Sequence, residues 1–195
     1  MFINEKILKR LMLKAYKSNG LYMSRSEGWY TLQGGYWSAR IAVGCMPKEL
    51  LAAMVECAGA IPMEGESWTA DKEKNQLDLG IDFWQEIESD GTELSITPVA
   101  IVSEGGTLYR VLQFPGGTVM TFRSDLVSTA DPSRIDRDND EGSLEGPYYD
   151  GGGGIFWKTN HAIWRVMECR ITDCETLTSR LGEIPLRRDE AYEKR

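Results

Sequence analysis

Four glycine-centred breaks, each dividing short runs of β-branched and aromatic residues, constrain this fold more than any other feature of the chain. Ser26-Glu27-Gly28 divides residues 21–25 from 29–32, and Gly34-Gly35 divides those from 36–43. Further on, Glu104-Gly105-Gly106 and Pro115-Gly116-Gly117 join residues 94–103, 107–114 and 118–123. Connections this short let neighbouring strands pair only antiparallel, because a parallel pair needs a crossover of roughly a dozen residues or more. No strand–helix–strand rhythm of the α/β kind appears. Residues 155–158 and 162–171 add further strand patterns, the second alternating Ile163, Arg165, Met167 and Cys169 against Ala162, Trp164, Val166 and Glu168.

Helices flank these strands. Asn4 is placed to cap a helix whose first turn holds Glu5. Ile7, Leu8, Leu11, Met12, Ala15 and Tyr16 then recur at helical spacing, with Lys6, Lys9, Arg10, Lys14 and Lys17 opposite, until Asn19-Gly20. The pattern predicts a helix over 4–18 with a basic outer face. Pro47 at a first helical position opens a second helix to residue 58, with Leu50, Leu51, Met54, Val55 and Ala58 as its stripe and Gly59 as its stop. Thr172 or Asp173 caps a last helix reaching about residue 181. In the acidic stretch, 67–70 and 77–81 read as short strands, and 82–88 as a strand or one helical turn. Residues 128–154 read as one long loop. The expected architecture is α+β: antiparallel sheet with two to three packed helices. It forms a single domain over 1–195, divisible into a helix-rich half (1–90) and a β-rich half (91–185).

Charge is segregated. Residues 1–63 hold 8 Lys/Arg against 4 Asp/Glu, whereas residues 64–93 hold 10 Asp/Glu against 2 Lys, in a chain of net charge −8. A second patch, 131–150, holds 7 acids against Arg134 and Arg137. Such a field repels free duplex DNA, so no tight duplex binding is expected, and it attracts basic protein surfaces. The candidate partner-binding residues are therefore Glu64, Glu66, Asp71, Glu73, Asp78, Asp82 and Glu86, with Asp136, Asp138, Asp140 and Glu141 in the second patch. No apolar run reaches the roughly 18 residues of a membrane span, and the start lacks the apolar core of a signal peptide, so a cytoplasmic location is expected.

Motifs for chemistry are sparse. Cys45, Cys57, Cys169 and Cys174 include no CxxC pair and share the chain with a single histidine, His161, so buried thiols are expected and no metal or cofactor. The run Asp136-Arg137-Asp138-Asn139-Asp140-Glu141-Gly142 alternates oxygen donors. Its sixth position is Glu141 where a calcium loop needs glycine. Gly151 to Gly154 precede no Lys-Ser/Thr pair and read as a hinge rather than a phosphate loop. Nothing frames His161 as a catalytic base, and no enzyme activity is expected. The six tryptophans fall mostly in strand patterns and read as core, and the Lys/Arg face of the first helix is the place for a phosphate contact.

Two resemblances follow. The opening INEKILKRLMLKAYKSNGLYMSRSEGWYTLQGGYWSARIAVGCMPKELLAAMVECAGAIP is similar in composition to small acidic accessory proteins of phages and mobile elements, a pool that includes anti-CRISPR proteins. That resemblance implies a non-catalytic inhibitor whose carboxylates dock on the basic channel of a CRISPR effector or another nuclease. The same stretch, read as helix, three strands and helix, resembles half of a DNA-polymerase processivity clamp, and the closing AIWRVMECRI is similar in place to a clamp's final strand. This alternative implies a DNA-replication accessory. Unlike a clamp, the second half has no helix pattern ahead of its strands, and only the first helix is basic.

Overall fold

The computed structural model describes residues 1–73, 76–78, 91–135, 142–171 and 175–186. In chain order the elements are α1 (Glu5–Lys17), β1 (Leu21–Ser26), β2 (Trp29–Gly34), β3 (Trp37–Ala42), α2 (Lys48–Ala58), β4 (Ser67–Ala70) and β5 (Gln76–Asp78). They continue with β6 (Ser95–Val102), β7 (Leu108–Gln113), β8 (Val119–Arg123), α3 (Ser124–Val127), β9 (Glu145–Tyr149), β10 (Gly154–Lys158), β11 (Ala162–Met167) and α4 (Glu175–Gly182). The fold is α+β with antiparallel strand pairing, as the short turns require. Two compact units divide the chain: Met1–Glu86 with Thr129–Leu144 and Lys158–Arg165, and Ile87–Ser128 with Glu145–Trp157 and Val166–Arg195.

In the first unit the strand order is β5-β4-β1-β2-β3-β11. The β1–β2 turn forms because Glu27 and Gly28 both take positive φ, 52° and 79°, matching the twist of the flanking strands. Register then sorts the faces. Met23 lies opposite Leu32 and Trp68, and Leu32 opposite Ala39, so these buried side chains share one face with Leu21, Ile41 and Ala70. The opposite face carries the cross-strand row Ser67, Ser24, Thr31 and Arg40, of which Ser67, Ser24 and Thr31 are buried. The strand patterns of the sequence do not by themselves mark this row as buried.

α1 is capped as expected: the Ile7 amide donates to Asn4 Oδ1 at 3.3 Å. It buries Leu8, Leu11, Met12 and Ala15 and packs on β1, β2 and α2. Burying each of the larger side chains contributes about 1.5–3 kcal/mol. The N-terminal strand is tied to residues 129–131: Asn4 N donates to Thr129 O, Asp131 N donates to Phe2 O, both at 2.8 Å, and Ile3 bridges Ala130. Segment 128–154 is therefore not one long loop, since it contains this bridge, a 3-10 turn at Pro132–Arg134 and β9.

α2 departs from the expected phase. It buries Leu50, Ala53, Met54 and Cys57, whereas Leu51 and Ala58 are half-buried and Val55 is 45% exposed. Residues 50–55 are six consecutive apolar side chains, so their spacing alone does not fix which ones face inward. Pro47 is the N-cap rather than the first helical residue, and Gly59 ends the helix at φ 79°.

In the second unit β6, β7 and β8 form a three-stranded antiparallel sheet, and β10 lies beside β9. A bulge interrupts β6 between Ile96 and Ala100. It is closed by Thr97, whose hydroxyl donates to Val111 O at 2.7 Å and accepts the Val99 amide at 3.2 Å. Ile101, Val111 and Ile171 form a cluster covered by Leu181 and Leu186. α3 was not anticipated from sequence. The last helix runs Glu175–Gly182, and its expected caps Thr172 and Asp173 lie outside the described residues.

Candidate functional site

α1 lies with one flank seated and the other in solvent. At about 100° per residue, Lys6, Arg10, Lys14 and Lys17 fall within roughly 80° of arc, opposite Leu8, Leu11, Met12 and Ala15. All four are exposed, and Lys9 is half-buried at the margin. Glu5, in the first turn, lies 4.0 Å from the Arg134 guanidinium. The result is a stripe of four cations on a rigid element.

The acidic residues singled out from sequence have different placements. Glu64 Oε2 lies 3.2 Å from Arg25 Nε, and the Arg25 guanidinium stacks 5.5 Å from the Tyr30 ring centroid. Glu66 folds a turn: its Oε2 accepts the Met63 amide at 2.7 Å, while its own amide donates to Met63 O. Asp71 Oδ1 accepts the Glu73 amide at 2.9 Å, and Glu73 is exposed. Three of these four acids thus serve local structure. Asp78 stands in β5, opposite Trp68 in register. Asp82, Glu86, Asp136, Asp138, Asp140 and Glu141 lie outside the described residues.

The remaining candidates take structural places. The loop from Asp150 to Gly154 has an anion-binding shape, with Gly151 and Gly153 at φ 72° and 88°. Its amides, however, are turned on the chain itself: Asp150 Oδ1 accepts from Gly152 N at 2.8 Å and Gly154 N at 2.7 Å. His161 is half-buried in the turn before β11, where its amide donates to Thr159 Oγ1 at 3.4 Å and its carbonyl accepts the Ala42 amide. Trp37 and Trp164 stack at 5.6 Å inside the core, as expected for tryptophans in strand patterns. Among the described residues no group of three or more His, Cys, Asp or Glu side chains converges, and no helix is long and apolar enough to cross a membrane. Cys57 is buried, and burial, with Glu56 nearby, pushes its thiol up to about 11; Cys169 is raised by burial as well.

Sequence reasoning missed the second ion-pair motif at the β1–β2 turn, where Arg40 stacks 5.4 Å from the Trp29 ring centroid and lies 3.6 Å from Glu27. The signal was available in the register: with β2 paired to β3, Trp29 stands opposite Ala42, two residues from Arg40.

No family model matches the sequence, and no curated protein matches it. Among solved structures the chain is similar to one described as "Putative DNA polymerase III beta subunit" from Eubacterium rectale ATCC 33656, at 8% identity and a TM-score of 0.38. The match covers 86% of this chain and 64% of that one, so the chain spans less than two thirds of that protein's length.

Proposed function

We propose that this chain is a non-catalytic DNA-associated accessory protein of the processivity-clamp kind, whose α1 faces a duplex phosphate backbone. The observation that carries the reading is the exposed stripe Lys6, Arg10, Lys14 and Lys17 on a helix whose opposite flank is seated in the core. The order α1, three strands, α2 supports it, since that order is what resembles half of a clamp. Carboxylates that would serve an inhibitor of a basic nuclease channel are, at Glu64, Glu66 and Asp71, engaged with their own chain.

The physics sets the strength of such binding. A net charge of −8 opposes DNA, so one copy binds duplex weakly and only at low salt. Four phosphate contacts give a log–log salt slope of about −3.6, so affinity falls roughly 150-fold between 50 and 200 mM salt. Tight retention then depends on assembling a closed ring, in which topology substitutes for affinity.

Fluorescence anisotropy with labelled duplex at low salt tests the reading. The variant with Lys6, Arg10, Lys14 and Lys17 changed to Ala loses binding, and the variant with Asp71, Glu73, Asp78, Asp82 and Glu86 changed to Lys keeps or gains it. Equal binding by the wild type and the α1 variant contradicts the proposal. Capture of a basic nuclease that the acid-to-Lys variant abolishes assigns the chain instead to the anti-CRISPR-like inhibitor class.

A further inference from the structure

One face of the β6–β7–β8 sheet is covered by a short C-terminal arm. Ile101 and Val111 are buried there, packed with Ile171 and with Val99, Tyr109 and Val119, and from the arm Leu181 and Leu186 close over them. The arm itself is lightly seated. Thr176, Leu177, Ser179 and Arg180 of α4 are exposed, and beyond the helix Ile184 is 53% exposed. Between α4 and the β7–β8 turn lies a cavity of about 420 Å³, lined by Gly116, Thr118, Val119, Thr178, Ser179 and Gly182.

A buried side chain of the sheet clasps this arm. Gln113, at the end of β7, is 2% exposed. Its Nε2 donates to Ile184 O at 2.8 Å and to Gly117 O at 3.0 Å, and its Oε1 accepts the Leu186 amide at 2.9 Å. Both ends of one amide thus clasp the chain more than 70 residues away, while the same amide braces the β7–β8 turn. Gly117 completes the seat. A Cβ there meets Gly182 O at 2.7 Å, so only glycine lets the arm approach the turn this closely.

We propose that the arm from α4 to Leu186 is a detachable strap latched by Gln113, which opens as a unit and uncovers the apolar face of Val99, Ile101, Tyr109, Val111 and Val119. Leu181, Leu186 and the Gln113 amide are among its holds. At eight residues α4 is shorter than the roughly 12–15 at which helices persist alone, so undocking and melting are one event. In the open state the Gln113 amide, the Ile184 carbonyl and the Leu186 amide all meet water and keep their hydrogen bonding, so the clasp's net hold on the arm is modest, whereas an apolar residue at 113 leaves the two arm groups unpaired in the closed state. The uncovered strip of β-branched and aromatic side chains is the face that this segment of the chain covers while the strap is closed.

Native-state hydrogen exchange on the full chain tests the strap, with Gln113→Leu and Leu186→Ser as separate variants. In the wild type the amides of α4 and Leu186 exchange at least tenfold faster than those of Val111 and Thr121. Either variant speeds the arm by about a further tenfold and leaves the α1 amides unchanged. Exchange of the arm together with β7 and β8 in the wild type overturns the proposal. So does a variant that folds and speeds β7 as much as the arm. DNA binding is not part of this readout, so failure of the strap and failure of the DNA reading are distinguishable.

Discussion

The Asp150 carboxylate accepts the Gly154 amide at 2.7 Å across a four-glycine loop, and through the same oxygen accepts Gly152 at 2.8 Å. A loop whose composition invites a phosphate is filled by the chain's own anion. The Asp150→Ala variant leaves both amides without that partner and costs about 1–3 kcal/mol, read as a lower midpoint in denaturant unfolding. Asp150→Asn retains one acceptor and loses less. An unchanged midpoint in Asp150→Ala means that the carboxylate does not hold the loop.

Core truncation separates the two phases of α2. Leu50 is fully buried and Leu51 is half-buried. Leu50→Ala costs about 2–5 kcal/mol, and Leu51→Ala less than half as much, because less surface and no closed cavity are involved. Equal losses in the two variants contradict the observed phase.

Cys57 carries a pH dependence. Its thiol is raised from 9.0 to about 11, first by burial and then by Glu56. The folded state therefore holds a proton that the unfolded state releases between these values. Its contribution is fully present below about pH 9 and is lost as pH rises toward 11. Two measurements check this. Alkylation at pH 8 labels the half-buried Cys45 before Cys57, and wild-type stability falls more steeply than that of Cys57→Ala above pH 9. A Cys57 that reacts as fast as Cys45 breaks the assignment.

Much of the fold was legible where local chemistry decides it. The Asn4 cap, the Glu27-Gly28 turn and the Gly59 stop each require particular residues, and each is found where the sequence places it. The phase of α2 was not legible, because an unbroken apolar run offers no contrast between its faces. The bridge between Ile3 and Ala130 and the clasp of Gln113 on Ile184 join residues far apart in the chain, and no local pattern marks them. The local partners of the acidic residues were not legible for a related reason. A count of carboxylates does not register that Glu64 meets Arg25 or that Glu66 meets an amide. The basic flank of α1 was legible because periodicity alone fixes it.

The proposed DNA-facing surface is α1. Lysine footprinting with an amine-acylating reagent, with and without duplex at low salt, tests it most directly. Lys6, Lys14 and Lys17 on α1 and Lys48, Lys72 and Lys158 elsewhere are all exposed and report separately. The expected result is that duplex slows acylation of Lys6, Lys14 and Lys17 severalfold and leaves Lys72 and Lys158 unchanged. Protection of Lys72 or Lys158, with the α1 lysines as reactive as in the free protein, contradicts it.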